Sequence, residues 1–255
     1  MATGKTGRSR NLRLIVTPAD SGSWNMAVDQ ALLQSVQLDR QPCLRLYQWS
    51  EPTLSLGYFQ PVADRQQHPP TLACPVVRRA TGGGAICHDR EITYSLVTPV
   101  EILAQQDTRQ LYGLVHQAII DELEQQDVTA TLRPPVDSTT TNKEPFLCFL
   151  RKTMGDILIG THKVGGSAQR RQQGIILQHG SLLLKQSPAA PELKGIEDLT
   201  QNCLDLQQWS DRWCQRLARQ LDLHLVHGEL DEKQAEMART IEKSRFDSNS
   251  WTERR

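Results

Sequence analysis

The sequence predicts an α+β domain built on a mixed sheet. Short alternating runs, CLRLYQW, TLSLGYF and ITYSLV, read as strands, and RQLYGLVHQAIIDELEQQ and LQQWSDRWCQRLARQL carry apolar residues at helical spacing. Strands that bracket two long helices, with close hairpin-like spacing, favour antiparallel neighbours. At 255 residues the chain suits one large domain, or one domain with a small appendage.

The N-terminal MATGKTGRSR is basic but lacks the apolar core of a signal peptide, so residues 1–11 are expected to be a disordered leader. Residues 12–228 form the expected domain, and 229–255 a short, polar helical tail packed on it. SGSWNMAVDQALLQSVQ supplies a serine cap and then Ala27, Val28, Ala31, Leu32 and Val36 for a first helix. Leu44 and Leu46 share one strand face, as do Leu54 and Leu56, with Pro52 between the two strands. Prolines break 61–75 into loop or short helix. Leu111, Leu114, Val115, Ala118, Ile119 and Leu123 form the stripe of the clearest helix, and Trp209, Trp213 and Leu217 that of the later one. TLRPPVDSTTTNKEP reads as a flexible loop. DILIG and GIILQHGSLLL read as strands around a turn and a glycine-rich bend, and LDLHLV as a short strand.

Composition excludes several functions. Lys+Arg and Asp+Glu number 29 each, so net charge gives no reason to expect nucleic acid or membrane as partner. No apolar run approaches the roughly 20 residues a membrane span needs, and the expected compartment is the cytoplasm. None of the six cysteines forms a C-x-x-C pair, and the seven histidines show no H-E-x-x-H spacing, so no catalytic metal is expected.

Two glycine-rich segments stand out. In RRATGGGAICHD three glycines separate Arg78-Arg79 from His88-Asp89. The spacing is neither a P-loop nor a dinucleotide fingerprint. A tight hairpin turn and a ligand-binding loop both remain open, since successive N–H groups there can cradle an anion. The second segment places Lys163 just before Val-Gly-Gly-Ser-Ala-Gln. Lys163 reads either as a solvated lysine or as an ammonium that polarises a carbonyl. Cys148, in PFLCFL, reads either as a buried thiol or as a nucleophile. The second requires thiolate, which a nearby cation such as Lys163 would favour. His88 and His179 are open between structural and functional roles.

RRATGGGAICHD, KVGGSAQRR and ILQHGSLLL, with WNMAVDQALL and YQWSEPTLSLGYFQ before them, resemble the biotin/lipoate protein ligase superfamily over nearly the whole chain. The resemblance implies its α/β ligase catalytic domain: a central mixed, largely antiparallel sheet flanked by helices. It implies that the glycine loop and the Lys163 strand line an acyl tunnel. Cys148-Phe149 shortly before Lys163 looks like the LipM type of octanoyltransferase. Here the family's acidic position after Cys-Phe is Asp156, the residue before the lysine is His162, and Gly84-Ala85 is closer to the ligase version of the loop.

The chemistry implied by the resemblance is acyl transfer in two steps. Cys148 takes octanoate from an octanoyl-acyl carrier protein, then yields it to a lysine of a lipoyl carrier domain such as the glycine cleavage H protein. Cys148 and Lys163 are the expected catalytic pair. Arg79, Gly82, Gly83, Gly84, Ala85, His88, Gly165, Gly166, Ser167, Ala168 and His179 are expected to bind substrate. Arg78, Arg79, Arg170 and Arg171 read either as solvated surface or as attractors of acidic carriers. No cofactor is expected, and the protein is expected to be a monomer. An ATP-dependent lipoate ligase with a structural Cys148, which would need Mg-ATP, an amidotransferase between lipoyl domains, and a non-catalytic acyl-binding protein are the alternatives.

Overall fold

The computed structural model describes residues 11–103, 108–135 and 144–255. The expected leader therefore lies outside the described residues, except for Asn11, and so does the middle of the polar loop, 136–143. Asn11, expected to close the leader, instead opens the first strand and pairs with His224.

Eleven strands are described: β1 (Asn11–Val16), β2 (Cys43–Tyr47), β3 (Thr53–Leu56), β4 (Val76–Arg78), β5 (Ile86–His88), β6 (Glu91–Pro99), β7 (Thr131–Leu132), β8 (Ile157–Ile159), β9 (His162–Gln172), β10 (Ile175–Leu183) and β11 (His224–Gly228). The helices are α1 (Gly22–Asp39), α2 (Thr108–Glu124), α3 (Ile196–Thr200), α4 (Leu206–Gln220), α5 (Glu232–Ile241) and α6 (Asn249–Thr252), with a π turn at Glu242–Phe246. Eight strands form one sheet in the order β11-β1-β2-β6-β10-β9-β8-β7. Only β1 pairs in parallel, with β11 and β2. The remaining neighbours are antiparallel, so the sheet is mixed and largely antiparallel.

Strand alternation decides what each face carries. On one face Leu44, Leu46, Tyr94, Leu96 and Leu182 pack with α2 and α4. On the other, Cys43, Tyr47, Val97, Ile175 and Leu177 pack with α1, Ala238 of α5 and Phe246. Helix α1 starts where Ser21 accepts the Trp24 N–H, and stops at Arg40 in the left-handed region, φ 59°. Its buried side includes Asn25 and Asp29 as well as Ala27, Val28, Ala31 and Leu32.

Three local readings change. β2 and β3 are not a hairpin: β3 is the centre of a second sheet, β4-β3-β5. Because β4 and β5 each pair with β3 and not with each other, the three glycines form a crossover loop and not a hairpin turn. The glycine-rich bend after DILIG is instead an 11-residue strand, β9, bonded along β10. Tertiary pairing on both sides overrides the weak strand preference of glycine.

Trp209 and Trp213 stack 5.5 Å apart between sheet and α4, and Trp213 meets Tyr94 edge-on. Both indoles are essentially unexposed. Trp213→Ala is expected to lower unfolding free energy by about 3–5 kcal/mol, read from urea unfolding. A loss below about 1 kcal/mol would remove this pair from the core.

Candidate active site

The site lies on the α1 face of the large sheet, under the small sheet. Register places Gly166, Ser181, Thr93 and Tyr47 in one row across β9, β10, β6 and β2, and Ala168, His179, Ser95 and Arg45 in a second row. Residues two apart on a strand share a face, so both rows look the same way. Met26 of α1, Trp49, Ile86 and His88 of the small sheet's side, and Gly82 and Gly83 complete a cavity of about 500 Å³, open solvent at its mouth included. Cys148, Phe149 and Lys163 also line it.

Cys148 is positioned by backbone. Ala85 N–H donates to Phe146 O at 3.1 Å, and Cys148 N–H donates to Ala85 O at 2.7 Å. Phe146, Leu147 and Phe149 are buried beside the small sheet, which leaves Cys148 between them half-buried. A single 3-10 turn, Cys148–Leu150, then carries the chain away. The other thiols differ: Cys43, Cys74, Cys87 and Cys214 are buried and Cys203 is exposed. Burial pushes Cys43 and Cys87 up to about 12, so they stay protonated.

Lys163 reaches Cys148. Its Nζ lies 3.7 Å from Sγ and 3.4 Å from the Cys148 carbonyl oxygen. It is 5% exposed, and Asp156 compensates its charge at 2.9 Å. Asp156 is itself held by the Thr153 N–H (2.7 Å) and hydroxyl (3.1 Å). The register slips between β8 and β9: Ile157 faces Gly165 while Leu158 faces Lys163. This bulge sends Val164 into the core and Lys163 to the site. Gly166 makes room for Lys163, and Gly165 for Ile157 behind it. A Cβ at Gly165 would stand 2.9 Å from Ile157 Cδ1, and one at Gly166 2.8 Å from Lys163 Cε.

The glycine loop is wrapped around Arg79. One Nη donates to Ser55 O and Oγ, both at 3.1 Å, and the other to Gly82 O (2.9 Å) and Gly84 O (2.7 Å). Burial pulls Arg79 down to about 10, still a cation at neutral pH. Gly83 has φ +96°, which side chains rarely adopt. Gly84 packs on the Cys148 backbone, where a Cβ would be 3.1 Å from Cys148 Cα.

Below the loop lie two buried polar clusters. His88 Nδ1 bonds Glu91 Oε1 at 2.7 Å, its Nε2 bonds Ser55 Oγ at 2.8 Å, and its ring stacks on Trp49 at 3.8 Å. Thr93 and Ser181 hydroxyls donate to the same carboxylate oxygen. His179 Nε2 bonds Thr81 Oγ1 at 2.6 Å and its Nδ1 faces Asp29 Oδ2 at 3.3 Å. Asp29 also takes Arg45 (3.0 Å), Tyr47 (3.0 Å) and Ser95 (2.8 Å). Burial alone would raise Asp29, but His179, Arg45 and Ser95 outweigh it and hold the carboxyl below its usual range.

The structure thus places Cys148, Lys163, Arg79, Gly82, Gly83, His88, Gly166, Ser167, Ala168 and His179 on one cavity. Gly84, Ala85 and Gly165 lie behind the wall and support it. Ser167 turns its hydroxyl away, to His116 Nε2 at 2.8 Å on α2. Arg78 is wholly buried and Arg79 nearly so, which corrects their reading as surface attractors. Sequence reasoning missed Met26, Tyr47, Trp49, Ile86, Thr93, Phe149, Gly180 and Ser181. The apolar-polar alternation of β2 and β6 was the signal that would have put Tyr47 and Thr93 on one face.

The sequence profile of the lipoyl protein ligase A/B catalytic domain matches residues 21–198. The chain belongs to that family. Its curated relatives include the octanoyltransferase LipM of Bacillus cereus, 28% identical over 91% of this chain and 94% of that protein. The LipM of Kyrpidia tusciae is 36% identical over 70% of this chain and 68% of that one. Among solved structures, a lipoate-protein ligase A bound with ATP superposes with TM-score 0.76 at 19% identity, covering 95% of this chain and 98% of that one. A bi-partite lipoate protein ligase of Thermoplasma acidophilum, solved in a study of that ligase and its E2 lipoyl domain, gives 0.74 at 18%, covering 96% of each. The family's mixed sheet with flanking helices is the fold found here.

This geometry makes two outcomes testable. A Cβ at Gly57 would stand 2.0 Å from Gly83 O, whereas one at Gly113 of α2 meets nothing within 4 Å. Gly57→Ala is expected to cost about 1–3 kcal/mol, while Gly113→Ala gains about 1 kcal/mol from helix propensity; equal effects in denaturant unfolding would contradict the packing of the loop. Burial lowers His88 and His116 below the ordinary 6.5. The unfolded chain then binds more protons than the fold, so stability is fully present above pH 6.5 and falls as pH drops below it. Thermal melts from pH 7.5 to 5.5 should show this decline, and His116→Gln should flatten it.

Proposed function

We propose that the chain is an octanoyltransferase of the LipM kind: it moves an octanoyl group from acyl carrier protein, through a thioester on Cys148, to a lysine of a lipoyl carrier domain. The observation that carries this reading is a half-buried thiol with a compensated ammonium 3.7 Å from its sulfur, at the mouth of a narrow cavity. A ligase that activates a free acid with ATP needs the lysine but no thiol at this place.

Cys148 thiolate attacks the thioester carbonyl. The new C–S bond forms, the bond to the carrier's sulfur breaks, and the carrier leaves as a thiolate that takes a proton from water, the equivalent of the one Cys148 released on ionising. In the second half the acceptor amine attacks the acyl-enzyme, the amide C–N bond forms, the amine loses a proton and the Cys148 thiolate is released. One thioester replaces another, so the first half asks for no ATP and no other cofactor. Lys163 faces the sulfur's negative charge and, with hydrogens to spare beyond Asp156, stands where charge develops on the carbonyl oxygen. Asp156 fixes the direction of that ammonium. Cavity walls made of Trp49, Met26, Ile86 and bare glycine backbone receive the methylene chain. Relatives named LipM and a neighbouring ligase studied with its E2 lipoyl domain support the acceptor class.

The test is intact mass of the purified protein after incubation with octanoyl-acyl carrier protein, without ATP. One octanoyl adduct is expected, labile to hydroxylamine and missing from Cys148→Ala. Lys163→Met is expected to slow its formation by about 100-fold or more, the loss typical of a removed charge-stabilising donor. Transfer that requires ATP and free acid, and that survives Cys148→Ala, would make the chain a ligase.

A further inference from the structure

Five arginines gather around Tyr58, Phe59, Trp251 and Ala80, next to the glycine loop, with Asp247 and Glu253 close to them in the chain. Arg78 spends its guanidinium on carbonyl oxygens of Gly57, Tyr58, Gln60 and Thr252. Arg170 donates to Ala80 O and Arg245 to Gln30 Oε1. Arg254 lies 4.6 Å from both the Tyr58 and Trp251 rings, and Arg255 5.4 Å from Phe59. Among the described residues no ion pair joins any of the five to an acidic side chain. They also feel each other: after burial, Arg254 and Arg255 pull Arg78 down, and Arg170 and Arg254 pull Arg245 down. Arg254 and Arg255 are the exposed members of the group, while Arg78 is buried and Arg170 and Arg245 are half-buried.

The same rim is apolar. Six large apolar side chains are exposed among the described residues, and three of them, Phe59, Leu150 and Met154, lie beside the glycine loop or in the segment that follows Cys148. Phe59 overlies the glycine loop, 3.9 Å from where a Cβ on Gly82 would stand. Leu150 and Met154 belong to the segment that leaves Cys148, with exposed Lys152 between them. Arg151, in the same segment, is paired with Glu144.

We infer that this collar is the docking surface for the acyl donor: a carrier domain with an acidic face that settles on the exposed Arg254, Arg255 and Lys152 while its thioester arm enters toward Cys148. Unscreened cations around an apolar rim fit such a partner, because charge steers encounter and the desolvated centre retains it. The inference rests on the octanoyltransferase reading. It moves the attraction from Arg79, which holds the loop, to Lys152, Arg254 and Arg255 on the surface.

The experiment compares octanoyl-acyl carrier protein with octanoyl-pantetheine as donor, for the unmodified enzyme and for Lys152→Glu/Arg254→Glu/Arg255→Glu. With the carrier, KM should rise by about tenfold or more and the unmodified enzyme's salt dependence should flatten in the variant. With the small thioester, acylation should stay within about twofold. Phe59→Ser, which leaves charge alone, should raise KM for the carrier only. Equal losses with both donors, or no change with either, would overturn the docking surface. An unmodified enzyme that acylates Cys148 from neither donor would instead overturn the transferase reading, and the collar with it.

Discussion

Asp29 is the interaction on which the site hangs. It is a carboxylate from the middle of α1, almost wholly buried, with partners on β2, β6 and β10. Through Arg45 it ties the helix to the sheet. Through His179 and Thr81 it ties the sheet to the glycine loop. Breaking a buried pair of this kind by removing one partner costs about 3–5 kcal/mol, a large share of a domain's marginal stability. The network therefore does two things at once: it locks α1 against the strands, and it sets the height of the loop above the cavity floor.

From that anchor the geometry of the reacting groups is built outward with backbone. The loop hangs from Arg79. Ala85, at the loop's end, bonds the Phe146 carbonyl and the Cys148 N–H, on either side of Leu147. The bulge between β8 and β9 turns Lys163 to the same point from the opposite side. No side chain in this chain of support is free to choose another rotamer without losing a bond, so the sulfur and the ammonium meet as a consequence of two sheets being in register. This is the preorganisation that transfer chemistry requires, since donors already in place cost no reorganisation when charge develops.

How far the sequence revealed this depended on range. Helical stripes such as Leu111 to Leu123 and the alternation of Ile92, Tyr94 and Leu96 are local patterns, and they stand in the structure where periodicity put them. Cys148 and Lys163 were legible as candidate partners 15 positions apart, but their contact came only with the fold. Strand β1 was not: its six residues were divided between leader and domain because a parallel edge partner, β11, lies more than 200 positions away. Strand β9 read as a bend because glycine says turn until neighbours on both sides make it extended. Arg78 and Arg79 looked like surface because the carbonyls that satisfy them belong to loops that fold from elsewhere. Asp29 carried no signal at all, since its partners lie 16, 18, 66 and 150 residues along the chain.

The two rows of side chains under the cavity are largely polar by composition: serine, threonine, histidine, tyrosine. Yet their hydroxyls and ring nitrogens are already engaged, those of Thr93 and Ser181 with Glu91, those of Tyr47, Ser95 and His179 with Asp29. The lining of the cavity is accordingly mostly apolar. A hydrocarbon guest would meet an oily wall that any hydropathy profile scores as wet. The two buried carboxylates, the most polar groups in this half of the molecule, are what make that lining dry.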